Sequence, residues 1–318
     1  MSTPPFLTLP ACARALRVTT ARGEFAALRA EPAGAVRGSA LLVPGFTGSK
    51  EDFIALLEPL AAAGYRVTAV DQRGQLDTGG PDDPAAYAVA ALGADVRALT
   101  AALLREDGTG PLHLLGHSFG GQVVREAVLA EAASGGAASG GAASSGDVPG
   151  GAAPAGAAGV LPWASLTLMS TGPGTIEPGE AEKTKLLVDV LPSMSLEQIW
   201  QVMQDMEEAS GDRARRPSPE VAAFLHRRWL ANVPQSLITT GGHLIAAPDR
   251  VDELAAAVAA GLPALVLSGV RDYAWPVPEQ TAMAERLGAR RVVVADAGHS
   301  PNAERPAATA EALLAFWA

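Results

Sequence analysis

Apolar residues along the chain follow two alternating patterns: short uninterrupted runs, and longer stretches in which they recur every three or four positions. Uninterrupted runs are typical of strands covered on both faces, and the three-to-four repeat is typical of amphipathic helices. Two β-rich stretches at 15–20 and 24–30 and the later runs at 39–44, 66–70, 112–115, 165–169, 264–268 and 291–295 predict strands. The repeats predict helices over residues 52–63, 85–105, 120–132, 251–260, 278–287 and 306–317. Because the two kinds alternate, we expect an α/β fold with an eight-stranded, mostly parallel sheet flanked by helices, which begins with a hairpin turning at Gly23.

Two segments interrupt this alternation. Residues 134–159 consist almost wholly of Gly, Ala, Ser and Pro, with Asp147 as their only charge, which predicts a flexible surface loop. Residues 171–248 show no strand signal and predict helices over 180–191, 196–209, 219–230 and 234–246. We therefore predict a core formed by 1–170 and 249–318, with 171–248 inserted as a helical cap over the ligand edge of the sheet.

An apolar stripe marks the predicted cap. Trp200, Met203 and Met206 recur at three-residue spacing, and Phe224 and Trp229 follow on the next predicted helix. Such a stripe is more often the internal core of a helical layer than a ligand site. We expect most of these side chains to pack within the cap and one or two to line a substrate pocket.

The pentapeptide 116–120, which reads GHSFG, lies between a predicted strand and a predicted helix. A G-x-S-x-G sequence in this context is typical of a nucleophile elbow, because its small glycines let the chain turn tightly and expose the serine. The helix that follows places its positive end near any anion that forms at the serine. Ser118 is therefore the candidate nucleophile.

A serine hydroxyl needs a general base, and the chain offers five histidines. His299 follows the last predicted strand and precedes the last helix, so it lies on a loop at the edge where Ser118 is expected. The other four are predicted within a strand, within the elbow or on cap helices: His113, His117, His226 and His243. We predict His299 as the base.

The base in turn needs an orienting carboxylate, which in this kind of fold stands between the serine and the histidine in chain order. Asp272 follows the penultimate predicted strand and is the favoured candidate. Glu177, after the preceding strand, and Asp296, three residues before His299, remain alternatives.

The oxyanion formed during acyl transfer requires two N–H donors. The amide of Phe119, directly after the nucleophile, is one candidate, and the amide of Phe46 in the loop after the third strand is the other. That loop reads PGFTGS over 44–49 and lacks the lysine and spacing of a phosphate-binding loop.

Composition limits the classes of function. Hydrophobic residues make up 48% of the chain and charged ones 18%, which suffices for a large core, and the net charge of −10 with a pI near 5.0 argues against a nucleic-acid partner. A single cysteine, Cys12, excludes an internal disulfide and a cysteine-rich metal site, and we expect no metal or organic cofactor. Residues 1–10 lack a signal-peptide pattern and 254–270 are interrupted by Gly261 and Pro263, so we expect a cytoplasmic protein without membrane insertion.

Taken together, these motifs resemble those of the α/β-hydrolase superfamily. The loop 44–49 is similar to the family's His-Gly-x oxyanion loop, with Pro44 where the histidine stands, and DQRG over 71–74 is similar to its Asp-x-Arg-Gly turn. Gly298-His299 is similar to its terminal Gly-His motif. The resemblance implies an eight-stranded sheet, a helical cap and a serine–histidine–acid triad.

The expected activity is hydrolysis of a small to medium, largely apolar carboxylic ester or related acyl compound. Serine at the elbow argues against the epoxide hydrolase and haloalkane dehalogenase chemistry of relatives, which use an aspartate nucleophile. Alternatives on the same triad are C–C bond hydrolysis, a cofactor-free haloperoxidase reaction and acyl transfer. A binding module without catalysis is a further alternative.

Overall fold

The computed structural model describes residues 2–108, 110–140, 161–210 and 217–318. One sheet of eight strands runs through it in the order β1-β2-β4-β3-β5-β6-β7-β8. Its strands are β1 Ala13–Thr20, β2 Gly23–Ala30, β3 Gly38–Val43, β4 Tyr65–Val70, β5 Leu112–His117, β6 Ser165–Met169, β7 Ala264–Gly269 and β8 Arg290–Val294. Strand β2 is antiparallel to both of its neighbours and the other pairs are parallel. The predicted fold class is confirmed.

The helices flank this sheet or lie between β6 and β7 in the chain. They are α1 Ile54–Ala62, α2 Val89–Asp107, α3 Phe119–Gly140, α4 Pro178–Val190, α5 Leu196–Ser210, α6 Pro219–Leu230, α7 Pro234–Ala246, α8 Val251–Ala259, α9 Val277–Leu287, α10 Pro301–Glu304 and α11 Pro306–Trp317. Short 3-10 turns, Lys50–Phe53 and Pro84–Tyr87, precede α1 and α2. Within the described residues, none of the helices is both long and apolar enough to span a bilayer.

Helix α3 corrects one prediction. It continues to Gly140, whereas the sequence pattern ended the helix at residue 132 and placed a flexible loop from 134. The hydroxyl of Ser134 donates to the carbonyl oxygen of Ala130, so a residue that usually favours loops is accommodated within the helix. The rest of the predicted loop, 141–159, lies outside the described residues.

Both faces of the sheet are covered, which explains the uninterrupted apolar runs. Leu41 and Val43 of β3 pack in a cluster with residues of α2, α3, α8 and α9, whereas Ala40 and Leu42 pack on the opposite face with residues of α1 and α11. Successive side chains of a strand point to opposite faces, so a strand buried on both sides needs apolar residues throughout. Full burial of each leucine contributes about 2 kcal/mol.

His113 lies in β5 within this buried region. Its Nδ1 is 2.8 Å from the hydroxyl of Ser165, and its ring stacks on Trp317 at 4.8 Å. Burial lowers the pKa of His113 from 6.5 to about 4. His113 therefore binds a proton near pH 6.5 in the unfolded chain but only near pH 4 in the folded chain. The free energy of unfolding consequently falls as pH decreases from about 6.5 to about 4.

Replacing His113 by asparagine is expected to weaken this acid dependence. The asparagine amide can still bond Ser165 but has no proton to take up near neutral pH. When pH falls from 7 to 4.5, the free energy of unfolding of the variant should decrease by about 2 kcal/mol less than that of wild type. Urea unfolding of both proteins at the two pH values measures this difference. An equal decrease in the two proteins would show that His113 is not the source of the acid dependence.

A buried ion pair joins α6 to the core. The guanidinium Nη1 of Arg228 donates to Oδ1 of Asp52 at 2.7 Å, and both side chains are 0% exposed. Its Nη2 donates to the carbonyl oxygen of Ser2 at 2.6 Å. Asp52 also accepts from the amide of Ser49, so the pair is held in place on both sides. The division into core and cap stays a prediction, but this pair ties α6 to the 3-10 turn that precedes α1.

Replacing Arg228 by methionine is expected to lower the free energy of unfolding by about 3 kcal/mol, because the carboxylate of Asp52 loses its buried partner. Adding Asp52→Asn should recover part of that loss, since it removes the unpaired charge. Arg227→Met, the same change at the exposed neighbouring position, is the control and should cost less than about 1 kcal/mol. Urea titration measures all three; equal costs for Arg228→Met and Arg227→Met would contradict this account.

Candidate active site

Ser118 occupies the sharp turn between β5 and α3. Its φ of 56° lies in the left-handed region, and its amide donates to the carbonyl oxygen of Met169 at 2.8 Å. The flanking glycines make the turn possible: a Cβ on Gly120 would lie 2.4 Å from carbonyl oxygens at the end of β3, and one on Gly116 would lie 2.3 Å from the carbonyl oxygen of Gly120. Only glycine fits at these two positions, so the sequence motif is explained by sterics.

His299 lies on the loop after β8, and its imidazole bridges two other predicted site residues. Its Nε2 is 3.0 Å from Oγ of Ser118, and its Nδ1 is 2.8 Å from Oδ1 of Asp272. The structure therefore brings together three residues that are up to 181 positions apart in the chain. A neutral imidazole in this position donates through Nδ1 to the carboxylate and accepts at Nε2 from the hydroxyl.

Asp272 follows β7 and lies in a dense set of donors. Its Oδ1 accepts from the amides of Ala274 and Trp275, at 2.9 and 3.3 Å, as well as from His299. Its Oδ2 accepts from Nε2 of the fully buried Gln280 at 2.9 Å. Burial opposes ionisation, but the hydrogen bonds from these donors outweigh it and hold the pKa of Asp272 below its usual value.

Two side chains hold the loop of His299. The carboxylate of Glu304 accepts from the amides of Gly298 and Ser300, at 2.7 and 3.0 Å, on either side of the histidine. The buried ring of His117 has its Nε2 2.9 Å from the carbonyl oxygen of His299. Burial lowers the pKa of His117 to about 3, so the ring is neutral at pH 7 and donates this bond from Nε2. His117, which the sequence placed within the elbow, thus holds the loop of the candidate base.

The alternative acids lie elsewhere. Glu177 caps the N-terminus of α4, where its carboxylate accepts from the amide of Glu180 at 3.1 Å, and Asp296 is exposed at the end of β8. His226 on α6 is paired with Glu197 on α5. The last of the five, His243, packs against the ring of Phe119.

The loop containing Phe46 is held by two glutamines. Nε2 of Gln72 donates to the carbonyl oxygen of Pro44 at 2.7 Å, and Nε2 of Gln75 donates to that of Gly45 at 2.8 Å. Oε1 of Gln75 accepts from the backbone amide of Gln72 at 2.9 Å, which fixes the side chain of Gln75. The carbonyl oxygens of both residues that precede Phe46 are thus held by side chains. Sequence reasoning missed both glutamines, although both lie in or beside the DQRG turn that it singled out.

A model of the alpha/beta hydrolase family matches residues 40–312. The chain belongs to the alpha/beta hydrolase family.

Solved structures agree with that assignment at the level of the fold. A thermophilic esterase from Thermogutta terrifontis, with malate bound, is 22% identical with a TM-score of 0.65, over 94% of this chain and 96% of that one. An enol-lactonase from Burkholderia xenovorans LB400 is 19% identical with a TM-score of 0.66, over 95% of this chain and 99% of that one. A structure of epoxide hydrolases from metagenomes of hot environments is 19% identical with a TM-score of 0.65, over 98% of this chain and 99% of that one. No curated protein matches the sequence.

The hydrolase has a cavity of about 190 Å³ beside Ser118. Its walls come mostly from the loop of Phe46, from the inserted helices and from the loop after β7, and they combine apolar side chains with the carboxylates of Asp52 and Glu180. Apolar lining residues from the inserted part of the chain include Ile176, Leu187, Met203, Trp229 and Leu244. Tyr273 and Trp275 border the cavity on the side of His299, whose ring is 4.8 Å from that of Tyr273.

The predicted apolar stripe divides between different environments in this hydrolase. Met203 and Trp229 line the cavity, and Phe224 is buried in a separate cluster against which Trp200 packs. Met206 is 69% exposed, which corrects the expectation that such residues would pack inside the cap. Among the described residues, no group of three His, Cys, Asp or Glu side chains is placed to hold a metal ion.

Proposed function

We propose that this hydrolase cleaves a small to medium, largely apolar carboxylic ester or related acyl compound through an acyl-enzyme on Ser118. The main support is the imidazole of His299, which is within hydrogen-bond distance of both the hydroxyl of Ser118 and the carboxylate of Asp272. A hydroxyl, a base and an orienting carboxylate in this order are what nucleophilic acyl transfer requires.

In the first half-reaction, Oγ of Ser118 attacks the substrate carbonyl while its proton passes to Nε2 of His299. The oxyanion that forms accepts hydrogen bonds from the backbone amides of Phe46 and Phe119. Because Phe119 is the first residue of α3, its amide has no hydrogen-bond acceptor within the helix. Collapse of the intermediate breaks the ester bond. The leaving alcohol takes the proton from Nε2, and the acyl group remains on Ser118.

In the second half-reaction, water repeats these steps. His299 removes a proton from water, the hydroxide attacks the acyl carbonyl, and the carboxylic acid leaves as Oγ of Ser118 regains its proton. Throughout, the ionised carboxylate of Asp272 stabilises the imidazolium and fixes its ring. The low pKa of Asp272 suits this role because the carboxylate stays charged over the whole neutral range.

The cavity supports an apolar substrate of limited size. At about 190 Å³ it is smaller than drug-sized ligand pockets, and aliphatic and aromatic side chains form much of its wall. Helices α4–α7 supply Leu187, Met203, Trp229 and Leu244 to that wall. We propose these helices as the cap, which excludes water from the acyl carbonyl and selects the substrate.

Labelling with a fluorophosphonate tests the nucleophile. Wild type should gain one phosphonyl group, located on Ser118 by peptide mass spectrometry, and should turn over p-nitrophenyl acetate. Ser118→Ala should do neither. Ser170→Ala is the matched control: Ser170 also has a positive φ, lies at the end of the adjacent strand and is buried, and its variant should label as wild type does.

Rapid quenching during turnover of a p-nitrophenyl ester tests the acyl-enzyme. Intact mass spectrometry should detect wild type carrying the acyl group, and Ser118→Ala should carry none. Equal, weak labelling of wild type and Ser118→Ala, together with no turnover of p-nitrophenyl acetate, would overturn the proposed function.

A further inference from the structure

An apolar groove of about 510 Å³ lies between α4 and α5, on the cap side of the molecule. Lys183 carries the only charge among the described residues that line it. Three of its apolar residues are open to solvent: Leu186 is 67% exposed, Val202 46% and Met206 69%. A contiguous group of exposed apolar side chains is typical of a binding surface, whereas single exposed apolar residues scattered over a protein are not.

The groove adjoins the candidate catalytic cavity. Thr184, Leu187 and Met203 line both spaces, and none of the three carries a charge. An apolar chain that leaves Ser118 along these side chains therefore reaches the groove without meeting an ionised group among them. The unbranched, flexible side chain of Met203 adapts readily to such a chain.

The packing around Phe46 and around His299 indicates which half of the ester would contact the groove. Phe46 packs in the same apolar cluster as Leu187 and Met203. The ring of His299 instead faces Tyr273 and Trp275. Because the leaving alcohol takes its proton from His299, it departs on that side. The acyl chain then extends toward Phe46 and the groove.

We infer that the groove binds the acyl chain of a medium-chain ester, an inference that rests on the proposed function. From Thr184 to Val190, helix α4 rises about 9 Å, the length of about seven methylenes. With the carbons inside the cavity, an acyl chain of about eight to twelve carbons fills both spaces. A groove open on one side buries about half of the surface of each methylene, which stabilises the bound ester by about 0.4 kcal/mol per methylene. The value of kcat/KM should therefore rise about twofold per added methylene.

A series of p-nitrophenyl esters from acetate to dodecanoate, used below micellar concentrations, tests the groove. In wild type, kcat/KM should rise about twofold per methylene from butyrate to decanoate. Val202→Glu and, separately, Leu186→Glu should lower the decanoate-to-butyrate ratio at least about tenfold, because burying a carboxylate beside the chain is costly. Butyrate turnover should stay within about twofold of wild type, since these residues lie outside the catalytic cavity.

Gln204→Glu is the matched control for Val202→Glu, since it adds the same charge to α5 outside the groove lining. It should leave the decanoate-to-butyrate ratio unchanged. Acetate esters of alcohols of increasing length should show no comparable rise. A rise along the alcohol series and not along the acyl series would overturn the assignment of the groove to the acyl chain.

A binding measurement separates failure of the groove from failure of the proposed function. Calorimetric titration of decanoate into Ser118→Ala protein should show binding that Val202→Glu abolishes in the same background. Ser118-dependent butyrate turnover with a flat chain-length profile would overturn the groove and leave the hydrolase. Absent turnover with intact decanoate binding would overturn the proposed function and keep an apolar-chain site. A change of solution mass in Val202→Glu with an unchanged ratio would assign the groove to contact between copies and overturn the inference.

Discussion

Alanine at Ser118, or at His299, is expected to lower kcat for a p-nitrophenyl ester by about 10⁵- to 10⁶-fold, whereas KM changes little. The two groups act as one unit: without the imidazole the hydroxyl keeps its proton, and without the hydroxyl the imidazole has nothing to activate. Their Oγ and Nε2 atoms, 3.0 Å apart, are placed for direct proton transfer. The double variant should therefore be no slower than the slower single variant. Stopped-flow and long-time assays on the three proteins measure this.

Circular dichroism and urea unfolding serve as controls for this first prediction, since all three variants should fold. Costs that multiply in the double variant would show that the two residues act independently. A loss of less than about tenfold in Ser118→Ala would remove Ser118 from the role of nucleophile.

Asparagine at Asp272 is expected to lower kcat by about 10⁴-fold at neutral pH. The wild-type carboxylate only accepts, and it receives hydrogen bonds from His299, Ala274, Trp275 and Gln280. An amide NH₂ must point at one of these donors, and it leaves His299 free to take the tautomer with its proton on Nε2. In that tautomer the imidazole can no longer accept the proton of the serine.

Glu177→Gln and Asp296→Asn are matched controls for this second prediction, because each neutralises an alternative acid. The kcat of both variants should stay within about twofold of wild type. The reason is that Nδ1 of His299 bonds the carboxylate of Asp272, at 2.8 Å, and neither of the two alternative carboxylates. A loss of activity in Glu177→Gln that matches that of Asp272→Asn would contradict the assignment. Steady-state kinetics on the three variants, with fluorophosphonate labelling as a check on the nucleophile, decide the question.

The strands and helices of this fold could be predicted from the local sequence, because the buried face of each element requires apolar residues at the repeat of that element. A strand such as β3, covered on both faces, must be apolar throughout, and its residues Ala40 to Val43 are all buried. Boundaries were harder to predict. Helix α3 runs past residue 132 into a segment rich in glycine, alanine and serine, where Ser134 is accommodated by a bond to Ala130, and the composition of this segment does not indicate a helix.

For the candidate site, the residue types and their order were readable in the sequence, since a turn that exposes a serine demands glycines at fixed spacing. Asp272 and His299 could be chosen because each follows a strand, and parallel strands bring their carboxyl ends to one edge. The partners that hold them could not. Gln280 holds Asp272 and His117 holds the loop of His299, as Gln75 holds the loop of Phe46. These contacts depend on the approach of distant segments: Gly45 and Gln75 are 30 residues apart, and His117 and His299 are 182 apart.

The sequence by itself thus determined the sheet, the elbow and the candidate nucleophile, because hydrophobic period and backbone sterics act within a few residues of the chain. Tertiary structure alone decided between Asp272 and its two alternatives as the carboxylate that faces His299, and it decided how the loop of Phe46 is held and where the apolar groove between α4 and α5 opens. Each of these depends on contacts between segments distant in the chain, and the groove depends on how two helices pack. Helical period places Leu187 and Met203 on faces of their helices, but only the packing of those helices brings both to the wall of one cavity.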